Sequence, residues 1–311
     1  MNTLTTTSKI SIVTTMYESE KFVEEFYSRA LATVKKITSN YEFVFIDDGS
    51  PDNSSLAAKK LEGPVKVVRF SKNFGHHNAM MAACAHATGD FIFLIDIDLE
   101  ESPELLLDFW HSINSDDDLD VCFGIQKKRK GRFLERTAGN LFYRVFNFLS
   151  DIEIPRNLLT IRLMSQRYVD ALLQHKETDI FIGGLWEISG FNQKRIAVNK
   201  LNKGATTYHL KQKVQLLLNS ITSFSSKPLY LIFYISAIIL TITFIYSAFI
   251  FYMKLTHPNI TMGYSSLLIS VWFFGGLILF NLSIIGIYVA KIFKEVKKRP
   301  SYIIKEIFEK K

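Results

Sequence analysis

The chain has 311 residues, 48% of them apolar and two of them cysteine, which excludes a disordered protein, a disulfide scaffold and a Cys-x-x-Cys metal or redox site. We expect both cysteines to be buried thiols in a reducing compartment. The net charge is +7, and residues 291–311 carry eight Lys or Arg against three Glu beside the most apolar part of the chain, which favours a membrane surface over a nucleic acid as partner.

Short apolar runs alternate with helical patterns through the first 125 residues. The apolar runs predict strands at 10–15, 42–46, 65–70, 91–95 and 121–124. The helical patterns predict helices near 20–39, 52–61, 76–88, the last with Gly89 as its C-cap, and 103–114. Alternation of this kind indicates an α/β fold with a mainly parallel sheet, whose ligands bind at the carboxyl ends of the strands.

The pattern changes after residue 125. Apolar residues recur every three or four positions from Leu134 to Leu149, which predicts an amphipathic helix at about 132–150 behind a basic entrance. Such a helix either lies in the lipid headgroup layer or covers the sheet. A second amphipathic stretch, at about 208–222, leads toward the first long apolar segment.

Two long segments of the C-terminal third contain no charged residue between Lys227 and Lys291 apart from Lys254. They predict two membrane-spanning helices, at about 228–253 and 266–290, joined by a short link. Basic residues precede the first span and follow the second, so we expect both ends of the hairpin on the cytoplasmic face. No basic-then-apolar signal pattern opens the sequence, so we do not expect the first 226 residues to be exported.

The chain is accordingly divided into three parts. We expect a cytoplasmic domain at 1–226, a transmembrane hairpin at 227–290 and a basic cytoplasmic tail at 291–311. Pro300 should end any helix that continues from the second span. We expect the tail beyond it to lie on the bilayer or fray.

Acidic residues follow two of the predicted strands. Asp47 and Asp48 come after the second strand, and Asp96 and Asp98 come after the fourth. Asp96 and Asp98 flank Ile97, so in an extended chain they point to the same side. Two carboxylates on one side suit Mg²⁺ or Mn²⁺, which would bridge a nucleotide diphosphate and neutralise the leaving group.

A series of motifs resembles family 2 glycosyltransferases, and among them the polyprenyl-phosphate sugar synthases, over nearly the whole chain and in order. The motifs lie at 47–52 (Asp-Asp-Gly-Ser-Pro-Asp), 71–76 (Ser-Lys-Asn-Phe-Gly-His), 89–90, 96–99 (Asp-Ile-Asp-Leu), 141–144, 154–156, 162–164, 190–191, 223–225, 286–288 and 295–300. Each piece alone is common, whereas the combination is specific.

The resemblance implies an inverting transferase with the GT-A nucleotide-sugar fold. It would move one sugar from a UDP- or GDP-sugar to undecaprenyl phosphate at the cytoplasmic face of the bacterial plasma membrane, as a homo-oligomer such as a tetramer. The resemblance assigns the nucleotide-sugar to Tyr17, Ile46, Asp47, Asp48, Asn73 and Asp96, the Mg²⁺ or Mn²⁺ to Asp96, Asp98 and Glu100, and phosphate clamping to Arg129 and Arg136. Asp96, Asp98, Arg129 and Arg136 would carry the catalysis.

The proposed acceptor needs no general base, because a polyprenyl phosphate is already an anionic nucleophile near neutral pH. Catalysis then rests on positioning and on charge stabilisation. His76 and His77 open a predicted helix, and we expect a structural or capping role for them rather than a ligand contact.

The sequence departs from the family pattern at several positions. Thr15, Glu18, Gln126 and Thr160 stand where relatives usually carry Pro, Asn, Arg and Asp, and Lys200 or Lys203 would replace an arginine missing from 201–208. These changes cluster on the sugar and acceptor side. Two other functions therefore stay open: transfer to a lipid-linked saccharide, with Glu187 as a candidate base, and a noncatalytic scaffold that binds nucleotide-sugar.

Overall fold

The computed structural model describes residues 6–126, 148–149, 155, 157–178, 180–199, 222, 225–256 and 264–310. The predictions for Arg129, Arg136, Lys200 and Lys203 lie outside the described residues. So do those for the two amphipathic stretches, apart from short helical pieces at 148–149 and at residue 222.

The N-terminal domain alternates strands and helices. In chain order its elements are β1 (Ile10–Met16), α1 (Glu20–Val34), β2 (Tyr41–Asp47), α2 (Ser54–Lys59), β3 (Val65–Phe70), α3 (His76–His86), β4 (Phe91–Leu94), α4 (Leu105–Ile113), β5 (Val121–Gln126), β6 (Leu158–Ser165), α5 (Gln166–Leu172), α6 (Ile182–Ile188) and β7 (Gln193–Val198). Two long helices, α7 (Lys227–Thr256) and α8 (Tyr264–Val296), precede a last strand, β8 (Ile304–Lys310).

The strands form one sheet in the order β7-β5-β6-β4-β1-β2-β3-β8. Strands β4, β1, β2 and β3 are mutually parallel, and β5 is parallel to β7. Strand β6 runs antiparallel to both β4 and β5, and β8 runs antiparallel to β3. The predicted α/β fold with a mainly parallel sheet is therefore confirmed.

Both faces of the central strands are buried, which explains why they are continuous apolar runs. In β2, Phe43 and Phe45 belong to the core beneath α1 and α4, whereas Val44 and Ile46 belong to the core beneath α3, α5 and α6. The result is a three-layer domain, and in domains of this kind ligands bind at the carboxyl ends of the strands.

Gly89 has a different role from the predicted C-cap of α3. The C-cap is Ala87, in extended conformation. A Cβ atom at Gly89 would lie 2.7 Å from the backbone nitrogen of Ser11 and 2.7 Å from its Oγ. Glycine is required here because the turn before β4 passes against the start of β1.

Helices α7 and α8 contain the two predicted spans and extend beyond them. Their segments Lys227–Tyr246 and Ser270–Val296 are long and apolar enough to cross a membrane, and neither segment is buried inside the protein. An apolar helix of this length with no protein cover is typical of a membrane-spanning segment.

The expectation that the tail after Pro300 lies on the bilayer or frays is wrong. Strand β8 pairs with β3 along its length, from Val65 opposite Lys310 to Phe70 opposite Ile304. The tail supplies backbone partners to an edge that would otherwise carry unpaired N–H and C=O groups. An ion pair of 2.6 Å between Lys59 Nζ and Glu306 Oε1 crosses from α2 to the new strand.

The pairing of β3 with β8 also constrains the path of the chain. Strand β3 precedes α7 in the sequence and β8 follows α8, yet both belong to one sheet. A chain that leaves a domain and returns to it must cross a membrane an even number of times. The two long helices lie between these two strands in the sequence.

Candidate active site

The candidate site lies where β1, β2 and β4 end. These parallel strands bring the segments after Met16, Asp47 and Leu94 to one edge of the sheet, with Met16 opposite Asp47 and Val13 opposite Leu94. Four of the predicted carboxylates therefore lie on the same edge, and the structure distinguishes their roles.

Asp47 is fully buried and closes the turn that follows β2. Its Oδ1 accepts a hydrogen bond of 2.8 Å from the backbone N–H of Ser50, and its Oδ2 lies 3.2 Å from Arg69 Nε. Arg69 in turn donates to the carbonyl of Ser50 at 3.2 Å. Both oxygens of Asp47 thus shape the turn, and its predicted role in nucleotide-sugar binding stays a prediction.

Asp48 holds the loop that enters α3. Its two oxygens accept hydrogen bonds from the backbone N–H groups of Phe74, at 2.6 Å, and Gly75, at 3.0 Å. Burial raises the pKa of Asp48, although these two donors oppose the shift. A side chain at Gly49 would lie 2.4 Å from the backbone carbon of Lys72, so only glycine lets the loop pack this closely.

Asp96 and Asp98 are both partly exposed, but residues 97–98 form a turn, so the extended segment assumed in the sequence analysis is not present. Ile97 and Leu99 are buried in the core, whereas Asp96, Asp98 and Glu100 are each partly exposed. Oδ1 of Asp98 accepts a hydrogen bond of 2.9 Å from the backbone N–H of Glu100. Leu99 adopts a φ of +61°, in the left-handed region, directly after the turn at residues 97–98.

His76 links β1 to the acidic segment. Its Nδ1 lies 3.1 Å from Thr15 Oγ1, and its Nε2 lies 3.4 Å from Asp96 Oδ1. The neighbouring His77 is different, because its Nδ1 donates to the carbonyl of Ile180 at 3.0 Å. Burial lowers the pKa of His77, which keeps this imidazole neutral.

The remaining predicted nucleotide contacts differ in accessibility. Tyr17 is 47% exposed and Asn73 is exposed, so both side chains can meet a ligand at the edge. Ile46 is 0% exposed within the core beneath α3, which leaves its side chain no surface for a nucleotide. The predicted contribution of Ile46 to the nucleotide pocket stays a prediction.

The oxygen donors at the edge fit a hard divalent cation in kind. Asp96 and Asp98 both present partly exposed carboxylates in the segment that follows β4. Among the residues that the structure describes, however, no group of three or more His, Cys, Asp or Glu side chains is arranged to hold a metal ion. Within this part of the chain the coordination shell is at most partial, and Glu100 as a third ligand stays a prediction.

A buried arginine next to this edge was missed by the sequence analysis. Arg162 on β6 lies opposite Leu94, is 1% exposed, and has its guanidinium carbon 3.0 Å from the centroid of the Trp186 ring. Burial lowers the pKa of Arg162 to about 10, so the side chain still carries its charge at neutral pH. In the sequence, the only indication of a buried arginine was a single charged residue in the otherwise apolar motif at 162–164.

Glu187 on α6 lies close enough to Arg162 for the two charges to interact. The carboxyl group is half-buried, and burial raises its pKa while Arg195 and Arg162 oppose the shift. Thr160, two residues before Arg162 on β6, is half-buried and brings a hydroxyl group where relatives usually carry a carboxylate. Both cysteines are buried, as expected.

Comparison with known proteins agrees with this architecture. The model of Glycosyl transferase family 2 matches residues 11–173. A Mycobacterium tuberculosis protein whose description goes no further than glycosyltransferase is 44% identical over 303 residues, covering 96% of this chain and 88% of its own. The Bacillus subtilis glycosyltransferase YkcC, which is uncharacterised, is 33% identical over 96% of this chain and 94% of its own.

A further relative has a described acceptor. The prophage bactoprenol glucosyl transferase homologue of Escherichia coli is 31% identical over 304 residues, covering 96% of this chain and 99% of its own. The α/β fold with acidic side chains at the carboxyl edge is that of a glycosyltransferase. The chain belongs to family 2 of these enzymes, which confirms the resemblance stated from the sequence.

Proposed function

We propose that this enzyme transfers one sugar from a UDP- or GDP-sugar to a polyprenyl phosphate at the cytoplasmic face of a membrane. The observation that carries the proposal is the pair of partly exposed carboxylates, Asp96 and Asp98, at the carboxyl edge of a family 2 sheet. That edge is where open α/β sheets bind their ligands.

The donor would lie along this edge. Tyr17 and Asn73 are accessible for contacts with the nucleoside. Asp48 accepts hydrogen bonds from two backbone N–H groups of the loop that carries Asn73 and so holds that loop in place. A divalent cation held by Asp96 and Asp98 would neutralise charge on the departing nucleotide. Arg129 and Arg136 stay the proposed phosphate clamps on the basis of the sequence.

Two features support a polyprenyl phosphate acceptor. The Escherichia coli and Shigella flexneri relatives named bactoprenol glucosyl transferases are 31% identical to the chain over almost its whole length. Helices α7 and α8 would hold the catalytic edge near the headgroups in which such a carrier presents its phosphate. The phosphate oxygen is already ionised, so the reaction needs no proton acceptor.

The proposed topology follows from the sheet and from charge. The return of the chain to β8 supports the same side of the membrane for the catalytic domain and the C-terminal strand. The basic residues after α8 favour the cytoplasmic side for both. The exposed apolar surfaces of the two helices are also available for self-association, for which a tetramer is our working expectation.

One observation favours a second candidate, transfer to a hydroxyl group of a lipid-linked saccharide. Such an acceptor must lose a proton, and burial raises the pKa of Glu187 toward the range in which a carboxylate acts as a general base. This candidate predicts that Glu187→Gln abolishes transfer. The main proposal predicts that the same variant keeps most of its activity.

The experiment uses the full chain in lipid nanodiscs with Mn²⁺ or Mg²⁺, a panel of radiolabelled UDP- and GDP-sugars, and undecaprenyl phosphate. Transfer to undecaprenyl phosphate that Asp98→Ala abolishes supports the proposal. Asp117→Ala, which removes an exposed acidic residue of the loop before β5, is the matched control. Transfer only to a lipid-linked saccharide favours the second candidate, and nucleotide binding without any transfer indicates a scaffold.

A further inference from the structure

The N-terminal residue of α3 connects two strands at the catalytic edge. His76 lies between Thr15, near the end of β1, and Asp96, which follows β4. The three residues come from three separate elements, and Thr15 and His76 are 61 positions apart in the sequence. The contact is therefore a product of the fold rather than of local chain geometry.

The two imidazole nitrogens can serve both neighbours at once. When Nε2 carries the proton, it faces the carboxylate of Asp96, and Nδ1 then accepts a hydrogen bond from the hydroxyl group of Thr15. A carboxylate only accepts hydrogen bonds, so Asp96 favours the tautomer with the proton on Nε2, and the hydroxyl group of Thr15, which can donate or accept, holds the ring through Nδ1. The hydroxyl group of Thr15 thus orients the imidazole of His76, and the imidazole orients the carboxylate of Asp96.

The burial of the three side chains fits this order. Thr15 is 9% exposed, so its hydroxyl group has a fixed surrounding, whereas His76 is 49% exposed on its side chain and Asp96 is 24% exposed. Thr14, the neighbour of Thr15, points to the other face of the sheet, and its Oγ1 finds no hydrogen-bond partner within the described ranges. Of these two hydroxyl groups, only that of Thr15 contacts His76 at the site.

We infer that Thr15 and His76 are positioning residues that hold the carboxylate of Asp96 in the orientation that receives a cation-bound nucleoside diphosphate. The inference rests on the proposed function for the identity of the ligand. A carboxylate already fixed in one rotamer loses less conformational freedom when the ligand binds, and affinity rises accordingly.

The test measures binding of UDP and GDP to the full chain in nanodiscs by calorimetry, once with Mn²⁺ and once with EDTA. We expect Thr15→Val and His76→Ala each to weaken Mn²⁺-dependent nucleotide binding by about three- to ten-fold. Binding in EDTA should stay within about two-fold of wild type, because Asp96 orientation matters chiefly to the cation complex. Thr15→Ser, which keeps the hydroxyl group, should restore affinity, and Thr14→Val should have no effect.

A double variant separates positioning from a general loss of structure. Because Thr15 acts through His76, Thr15→Val should add nothing to the loss already caused by His76→Ala. Additive losses, an equal loss in EDTA, or a Thr15→Val protein with wild-type affinity would each overturn the inference. Thermal midpoints recorded for every variant identify any loss that comes from unfolding.

The failure of the proposed function is a different result. A wild-type protein that binds Mn²⁺ and nucleotide but transfers no sugar to undecaprenyl phosphate contradicts the acceptor and leaves the positioning pair standing. A wild-type protein whose nucleotide affinity is the same in Mn²⁺ and EDTA overturns the positioning inference. Loss of transfer in Thr15→Val at low Mn²⁺, with recovery at saturating Mn²⁺, supports both.

Discussion

Four aspartates at one edge of the sheet perform two kinds of task. The carboxylate of Asp47 accepts a hydrogen bond from a backbone N–H group and pairs with Arg69, and that of Asp48 accepts two backbone hydrogen bonds. These contacts hold the turn and the loop around the site. Asp96 and Asp98 are partly exposed, and each also has a neighbour within the site, His76 for Asp96 and the backbone N–H of Glu100 for Asp98. The sequence predicts all four as acidic residues after strands, whereas the three-dimensional contacts show that Asp47 and Asp48 also hold the local backbone; the binding roles of all four stay predictions.

Replacing Asp48 by Asn should loosen the loop that enters α3. An amide offers one acceptor oxygen, so one of the two N–H groups of Phe74 and Gly75 would face an NH₂ donor. We expect a loss of about 1–3 kcal/mol of stability, read as a lower thermal midpoint in detergent. Asp117→Asn is the control for removal of one negative charge, and an Asp48→Asn protein as stable as this control would contradict the role.

Glu42 makes the opposite end of the sheet sensitive to acid. Burial would raise its pKa, but hydrogen bonds from Lys9, Ser11 and Thr88 outweigh that effect and lower it. A carboxyl group with a lowered pKa stabilises the fold above its ordinary value of 4.5, and that stabilisation is lost as the pH falls through the lower folded value.

We therefore expect Glu42→Gln to cost stability at pH 7 and to flatten the decline of the thermal midpoint below about pH 4.5. The measurement is a series of thermal midpoints between pH 7 and pH 3 for wild type and variant. Parallel curves for the two proteins would show that this carboxylate does not contribute to acid sensitivity.

At the scale of elements, the predictability of a strand depends on where it lies in the sheet. The central strands β1 to β4 are buried on both faces, and their apolar runs predicted them to within two residues at either end. Strands β6, β7 and β8 were not predicted. Strand β6 buries the charge of Arg162, while β7 and β8 lie at the two edges of the sheet and carry several polar residues.

We expect strand β8 to stabilise the fold through its pairing with β3, although it lies far from the site residues in the sequence. Ile307→Pro removes a backbone N–H and disfavours strand geometry opposite Val68, and we expect a clear drop in thermal midpoint and more aggregation through the freed edge of β3. Ile307→Val, which keeps the strand preference, is the matched control. Equal midpoints for the two variants would show that the strand contributes little.

At the scale of the whole molecule, the two long apolar helices lie between strands of one sheet. The spans themselves were predicted from the absence of charge, but the return to β3 was not, because pairing between positions so far apart leaves no local pattern. The same limit applies to the site: Asp96 and Asp98 were predicted from their neighbours, whereas the Thr15–His76 contact required the assembled fold.

The hairpin topology predicts which cysteines an impermeant reagent can reach. In spheroplasts, a maleimide should label Asn259→Cys in the link between the helices, and label Lys305→Cys on β8 only after permeabilisation. The native Cys84 and Cys122 are buried and should give little background. Labelling of both positions from outside, or of Lys305→Cys alone, would contradict the proposed orientation.

The most direct measurement is the initial rate of sugar transfer from nucleotide-sugar to undecaprenyl phosphate in nanodiscs, with and without Mn²⁺, for wild type and Asp98→Ala. We predict metal-dependent transfer by wild type and a loss of about 100-fold or more in Asp98→Ala, since the charge on the leaving diphosphate is no longer neutralised. A wild-type rate unaffected by EDTA, or an Asp98→Ala rate close to wild type, would contradict the assignment of this edge as the catalytic centre.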